Sequence, residues 1–143
     1  MASTSKLKLF SGLFIFKIQS MEFCLDLKEI ISVLKIAECK IHLKNSDPEL
    51  EHGGSTYKIV SFDKIYNLSY KESLKTRIIL IKIKNNQVGF FADEILEILA
   101  VDENSNKISR LSSANNPFIK WVIKYGGREI IMPDFEYILP LFR

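Results

Sequence analysis

Three side chains in one stretch of the chain are of the types that bind transition metals. They are Cys39, His42 and His52. Thiolate and imidazole groups are the ligands that zinc prefers, but structural zinc sites present them in close pairs such as Cys-x2-Cys and His-x3-His. Those pairs are missing from the sequence, so we interpret the three residues as two surface histidines and a packed thiol. We expect no metal and no cofactor.

Catalytic chemistry finds equally little support. Neither histidine lies in a nucleophile-elbow or HExxH context, and no Ser, His and Asp arrangement is recognisable. Asp93 and Glu94 are adjacent carboxylates, but neighbours in a strand point to opposite faces and do not converge on one substrate. We expect a strand-end turn and a solvated carboxylate there. The glycine pairs at 53–54 and 126–127 are turn glycines, because no phosphate-binding helix pattern follows them. The sequence therefore predicts a protein that is not an enzyme.

A row of apolar side chains is the remaining candidate for a functional surface. Leu27, Ile30 and Val33 are spaced by three, which fits one face of a helical turn and is by default a core pattern. Ile31 and Leu34 lie on the opposite side of the same segment, so both sides are apolar. One side could cover the core while the other docks a partner. Without a catalytic constellation, a role in protein–protein binding gains weight.

These residues belong to a plan that occurs twice along the chain. A hairpin at 13–25 precedes the apolar row, and a second hairpin at 77–92 precedes the similar segment 93–99. Each half then has a loop, another strand and a short acidic-aromatic helical turn, at 61–66 and 132–139. Two such β-units are too small to bury much core alone and would have to pack on each other.

Local signals give the turns and the expected core. Gln19-Ser20 is the first hairpin turn, and Asn85-Asn86 suits the positive-φ positions of the second. Pro133 fits the first turn of a helix, and 67–76 is a polar linker. The side chains that we expect in the core are Phe16, Ile79, Ile81 and Ile98.

The composition is that of one domain with mixed charge. The 143 residues are 47% hydrophobic and carry a net charge of +3. Lys and Arg are interleaved with Asp and Glu, whereas a nucleic-acid footprint needs clustered positive charge. Cys24 and Cys39 form no disulfide framework, so we expect a reducing compartment and two buried thiols. No stretch reaches the roughly 20 apolar residues of a membrane span, and the signal-like run near 6–16 lacks a cleavage pattern. We expect a cytoplasmic protein.

With its duplicated plan, the chain resembles the CheW-like domain, the adaptor that couples chemoreceptors to the histidine kinase CheA in bacterial chemotaxis. The family's opening hairpin and its V-x-x-I-x-x-V-like segment resemble 14–18 followed by Leu27, Ile30 and Val33. Its VGFLVDxVxxVL motif resembles 88–99, and its closing segment resembles 118–139. The resemblance covers almost the whole chain.

The resemblance implies an all-β fold of two five-stranded SH3-like barrels around a shared core. The chain would be one CheW-like domain, with one subdomain at about 13–66 plus contributions from the chain ends and a second at 77–139. A groove between the barrels receives the cytoplasmic tip of the receptor's helical hairpin in the family. Carried over position by position, the groove is lined by Phe14, Leu27, Ile30, Val33 and Ile95. The second implied partner is the regulatory domain of a CheA-type kinase, bound through residues that the sequence does not mark, in receptor arrays at the membrane.

One motif departs from the family. The family has an Asn-Leu-Arg-Gly turn before the fifth strand of the first barrel, and its Arg takes part in receptor recognition. In this chain the turn reads 51–54 Glu-His-Gly-Gly, so the Arg position falls on Gly53, and Lys58-Ile59 replaces the usual Pro-Val. Gly54 keeps the turn, but the fixed fork of donors that a guanidinium provides is lost. The resemblance is therefore to a divergent member of the family that lacks this recognition residue.

Two classes of function stay open at this point. The first is a non-enzymatic adaptor that holds a chemoreceptor and a CheA-type kinase in register. The second is a divergent β-barrel module that binds another protein or single-stranded nucleic acid, with Tyr57, Trp121 and Tyr125 as stacking residues. The mixed charge of the strands favours the adaptor, so we expect protein partners, no nucleic acid and no membrane insertion.

Overall fold

Short strands joined by tight turns make up most of the chain. The structure, a computed structural model, describes residues 12–44, 47–100, 108–112 and 115–142; the signal-like residues 6–10 lie outside these ranges. The strands are β1 (Gly12–Ile18), β2 (Met21–Asp26), β3 (Ile30–Lys35), β4 (Ile41–Lys44), β5 (Asp47–His52), β6 (Ser55–Ile59), β7 (Arg77–Ile83), β8 (Asn86–Ala92), β9 (Glu94–Ala100), β10 (Ile108–Leu111), β11 (Ile119–Tyr125) and β12 (Arg128–Pro133). The α-helices are α1 (Phe62–Tyr66) and α2 (Phe135–Ile138), and 3-10 turns cover Leu27–Glu29, Ile36–Glu38 and Leu139–Phe142.

The strands form two six-stranded sheets. The N-terminal sheet has the order β3-β7-β8-β6-β5-β4, and the C-terminal sheet has the order β10-β11-β12-β2-β1-β9. Each is antiparallel except for one parallel contact, β6 with β8 and β12 with β2. The hairpins β1–β2 and β7–β8 are thus exchanged between the halves of the chain. Each sheet therefore combines strands from the segments 13–66 and 77–139.

The expected pair of closed five-stranded barrels is confirmed only as a mostly-β fold with two sheets. Both sheets have six strands, and the described pairings leave each sheet open, with β3 and β4 or β9 and β10 at its edges. The C-terminal sheet still curls strongly. Arg128 on β12 donates to Glu97 on β9 at 2.8 Å, although β2 and β1 lie between them. The same guanidinium donates to Glu22 on β2 at 2.6 and 3.0 Å, so one side chain ties three strands together.

The largest hydrophobic core, called the shared core, lies between the sheets. It joins Phe16 and Phe23 of the C-terminal sheet to Phe90 of the N-terminal sheet and Phe62 of α1. The ring centroids of Phe16 and Phe90 are 5.2 Å apart, and those of Phe62 and Phe90 are 4.9 Å apart. Two smaller cores belong to one sheet each. Because both sheets contribute side chains to the shared core, neither sheet can bury its inner face without the other.

Three of the four expected core residues are confirmed. Phe16, Ile79 and Ile81 are fully buried. The prediction for Ile98 is wrong, because 58% of this residue is exposed. Ile98 lies on β9, which is an edge strand with a neighbour on one side only. Its apolar side chain therefore has nothing above it in the described structure that would exclude water.

Gly89 is a position where the side chains of two buried neighbours fill the space that a Cβ would need. A Cβ built on this residue would lie 2.9 Å from Cδ2 of Leu80 and 3.2 Å from Cδ1 of Ile59. We expect Gly89→Ala to lower the free energy of unfolding by about 1–3 kcal/mol through overpacking. Urea denaturation of both proteins measures this. The matched control is Gly12→Ala, whose Cβ would meet Leu27 at an ordinary 3.5 Å. Equal stabilities for Gly89→Ala and the parent would contradict the expected clash.

The predicted turns and helices are close to those observed, with shifts of one or two residues. The second hairpin turn is Lys84-Asn85, and Lys84 has the left-handed φ of 56° that we expected within Asn85-Asn86. The helical turn predicted at 61–66 is α1. Pro133 ends β12, and α2 is capped instead by Asp134, whose carboxylate accepts from the Glu136 amide at 3.1 Å.

Asp93 organises the junction of the two halves and is not a simple solvated carboxylate. Its side chain accepts from the backbone amide of Gln19 at 2.7 Å and from that of Lys71 in the linker. Next to this contact the Tyr70 ring stacks on Phe91, with centroids 4.3 Å apart. The polar linker is therefore attached to both hairpins. Glu94 points away to form ion pairs with Lys17 and Lys75 at 3.4 and 3.6 Å.

Candidate docking groove

Two edge strands carry apolar side chains past the margin of the shared core. Side chains directly opposite each other in antiparallel strands lie on the same face. On β3, Ile30 is opposite the buried Ile81, and Val33 is opposite the buried Ile79. Both β3 side chains therefore extend the inner face of the N-terminal sheet to its edge.

The C-terminal sheet repeats this arrangement on β9. Ile95 is opposite Phe16, and Ile98 is opposite Phe14, so both lie on the face that carries the shared core. Ile95 is half-buried, like Ile30, and both pack against that core. Val33 and Ile98 are exposed, at 36% and 58%. Each edge thus has one anchored and one open apolar side chain.

A β-bulge explains why these residues are three positions apart in sequence. The pairing of β3 with β7 shifts register between Ile30 and Ser32, and that of β9 with β1 shifts opposite Ile15 and Phe16. In a regular strand, side chains on the same face are two positions apart in sequence. One extra residue in a bulge increases this spacing to three. The expectation of a helical turn across Leu27–Val33 is correct only for Leu27–Glu29, and Val33 belongs to a bulged strand.

Leu27 connects the two edges. It lies in the 3-10 turn Leu27–Glu29, called the crossing turn because there the chain passes from the C-terminal to the N-terminal sheet. A Cβ built on Gly12 would lie 3.5 Å from Leu27 Cδ2 and 3.6 Å from the carbonyl oxygen of Leu99, so Leu27 sits beside the end of β9. Its half-buried side chain also packs against the shared core.

These side chains together define what we call the docking groove. Its most buried member is Phe14, which is 5% exposed, and its other members are half-buried or exposed. The members are Phe14, Leu27, Ile30, Val33, Ile95 and Ile98. The first five were predicted from the sequence, and Ile98 was assigned to the core instead. The repeated spacing of Ile30 with Val33 and of Ile95 with Ile98 is the sequence signal that marks Ile98 as a partner of Val33.

Gly53, the sixth predicted site residue, lies apart from this surface. It stands in the turn between β5 and β6, and β7 and β8 separate β6 from β3. Strand directions put that turn at the same end of the sheet as the crossing turn. No described atom outside its chain neighbours lies within 4 Å of a Cβ built on Gly53. A patch in which Gly53 directly touches the apolar residues is therefore not formed.

The chemistry of the groove is apolar. Its members have aliphatic or aromatic side chains, and none of them can bind a metal or transfer a proton. Such a surface binds by removing apolar area from water, at roughly 25 cal/mol per Å². The described residues contain no group of three His, Cys, Asp or Glu side chains that could hold a metal ion.

The two cysteines lie in different environments. Cys24 is fully buried, and burial raises the pKa of its thiol to about 12, so it is a neutral packing residue. Cys39, expected to be buried too, is half-buried and donates from Sγ to the Lys35 carbonyl at 3.2 Å. Burial and, to a smaller extent, Glu38 raise its pKa as well.

The aromatic residues considered for base stacking do not form a platform. Tyr57 is buried in the core of the N-terminal sheet. The Arg110 guanidinium lies 3.9 Å from the centre of the Trp121 ring and covers one of its faces. Tyr125 has Arg128 beside its ring at 5.8 Å. A nucleic acid needs open aromatic faces in a row, so this arrangement argues against the alternative.

Comparison with known proteins identifies the family. The model of the CheW-like domain matches residues 12–142. The chain belongs to the CheW-like domain family. The match includes both sheets and every member of the docking groove.

Individual relatives agree with this assignment. The chemotaxis protein CheW of Thermotoga maritima is 30% identical over 86 residues, which cover 60% of this chain and 57% of that protein. The crystal structure of the scaffolding protein TtCheW from Thermoanaerobacter tengcongensis superimposes with a TM-score of 0.73 at 18% identity. That superposition covers 90% of this CheW-like chain and 86% of TtCheW, and it establishes a common fold. Among the described residues, no helix has the length and apolar character needed to cross a membrane.

Proposed function

We propose that this CheW-like protein is a non-enzymatic adaptor of chemotaxis, which couples a chemoreceptor to a CheA-type histidine kinase in the cytoplasm. The observation that carries the proposal is the docking groove, because its exposed apolar side chains adjoin half-buried ones at the margin of the shared core, and grouped apolar side chains of this kind mark binding surfaces. Family membership supplies the partners, and the groove supplies a surface suited to one of them.

The receptor partner fits the groove by its chemistry. The cytoplasmic tip of a chemoreceptor is a helical hairpin, and an amphipathic helix can lay its apolar stripe into a groove of this kind. Val33 and Ile98 face water in the free protein, and the almost fully buried Phe14 lies opposite Ile98 on the neighbouring strand. An adaptor needs no catalytic group: holding the receptor and the kinase in register lets a conformational change in one bias the other.

Calorimetry with two purified partners tests the proposal. The probes are a soluble chemoreceptor tip fragment and the regulatory domain of a CheA-type kinase from the same cell. We expect micromolar or tighter binding of each, on the order of −8 kcal/mol. A single-stranded oligonucleotide is the control, and its binding should be absent at moderate salt. Absence of heat with both proteins at high concentration would contradict the adaptor role.

Gly53 allows a separate test of receptor specificity. We expect Gly53→Arg to bind the receptor tip about five- to tenfold more tightly, because a guanidinium contributes charge-assisted hydrogen bonds. Gly53 has a φ of 59°, so any side chain there is strained. Gly53→Gln is therefore the matched control, since it has the same strain without the charge. Equal affinities of the Arg and Gln variants would indicate a partner that does not use this position.

A further inference from the structure

Asp26 is a buried carboxylate at the point where the chain leaves the C-terminal sheet. Only 4% of it is exposed, and it stands opposite Leu13 at the end of β2. Burying a carboxylate is a poor way to gain stability, because desolvation offsets much of what its partners return. Its contacts therefore call for an explanation.

Those contacts all concern the crossing turn. Asp26 is its N-cap, and Oδ1 accepts from the Lys28 backbone amide at 3.2 Å. Oδ2 lies 3.6 Å from Nζ of Lys28. At the other end of the turn the Ile30 amide donates to the Leu27 carbonyl. Since Leu27 and Ile30 are groove members, the residues that Asp26 organises are those that begin the groove wall.

We propose that Asp26 is the positioning residue of the docking groove, which caps the crossing turn and thereby sets Leu27 and Ile30 for partner binding. The inference rests on the proposed function of the groove. A three-residue 3-10 turn has poor hydrogen-bond geometry and little stability of its own, so its shape depends on the cap. Without the carboxylate the Lys28 amide loses its acceptor, and Leu27 is free to leave its place beside Gly12.

Three variants separate positioning from plain stability. Asp26→Ala removes the cap, while Asp26→Asn keeps an acceptor of the same shape and is a good N-cap. Asp134→Ala is the matched control, because Asp134 caps α2 by the same kind of contact, a 3.1 Å bond from the Glu136 amide, and is not a member of the groove. Binding of the receptor tip fragment and the melting temperature are measured for all three.

We expect Asp26→Ala to weaken receptor-tip binding about five- to tenfold, which corresponds to the loss of one cap. Asp26→Asn should bind within about twofold of the parent, since Asn serves as an N-cap as well as Asp does. Asp134→Ala should lower the melting temperature by a similar amount to Asp26→Ala but leave the affinity unchanged. Equal affinities of Asp26→Ala and the parent, or equal losses in Asp26→Ala and Asp134→Ala, would overturn the proposal.

Amide hydrogen exchange on the free protein adds a test that needs no partner. Asp26→Ala should speed exchange at Lys28 and Ile30 selectively, whereas Asp134→Ala should not. If the parent protein does not bind the receptor tip, the proposed function is wrong. The exchange data then still test whether Asp26 stabilises the crossing turn. If the parent binds and exchange at Lys28 is unchanged in Asp26→Ala, the positioning role is wrong and the adaptor role stands.

Discussion

On the proposed adaptor role, replacing Ile98 by glutamate should abolish binding of the receptor tip, with a loss of about 100-fold or more, and leave the melting temperature nearly unchanged. Ile98 is 58% exposed in the free protein, so a carboxylate at this position stays hydrated. In the complex the same carboxylate would be buried against an apolar helix without a partner, which costs several kcal/mol. Calorimetry and thermal unfolding of the variant and the parent measure the two effects.

Two further variants make this result specific. Ile30 packs against the shared core, so Ile30→Glu should reduce both binding and stability. Leu111, which is 51% exposed on the edge strand β10 and is not a groove member, is the matched control. Leu111→Glu should change neither quantity. If Ile98→Glu binds the receptor tip as tightly as the parent, the docking groove is not the receptor site. A large drop in its melting temperature would show that Ile98 is a core residue.

The sequence predicted the elements of this fold better than their arrangement. Hairpins, their turns and the helical turn α1 follow from local periodicity and turn chemistry, and these are confirmed to within one or two residues. The exchange of β1–β2 and β7–β8 between the sheets depends on the parallel contacts of β12 with β2 and of β6 with β8. Such contacts join residues far apart in sequence and have no local pattern, so local periodicity gives no signal for this exchange.

The groove shows the same limit at the level of single residues. Alternation of apolar and polar residues identifies the face of a strand, but it does not say whether another strand lies beside it. Ile98 has the sequence of a core residue and is exposed because β9 is an edge. The spacing of three between Ile30 and Val33 predicts a helical turn, but a bulge produces the same spacing in a strand. The sequence alone does not distinguish the two. The hairpin turn at Lys84 differs for another reason: neighbouring strands fix the register, and they place a lysine at the positive-φ position next to two asparagines.

Replacing Phe90 by alanine should destabilise the whole protein by about 3–5 kcal/mol. Phe90 is fully buried, and its ring contacts those of Phe16, Phe62 and Phe135 at centroid distances of 5.2, 4.9 and 6.0 Å. Removing the ring would leave a cavity in the shared core, to which both sheets contribute. For a domain with a total stability of about 5–15 kcal/mol, such a loss is a large share of the total.

The single tryptophan makes the cooperativity of the two sheets measurable. Trp121 lies on β11 of the C-terminal sheet, whereas Phe90 lies on β8 of the N-terminal sheet. If the shared core makes one folding unit, Phe90→Ala shifts the urea midpoint of Trp121 fluorescence and of far-UV circular dichroism together. Leu50→Ala, in the N-terminal sheet's own core, should shift both as well, and Leu74→Ala, at a 97% exposed side chain, should shift neither. A Trp121 transition that stays at the parental midpoint while circular dichroism moves would mean that the sheets unfold separately. In that case the groove between them would be a joint between two units, and its width would vary with their relative motion.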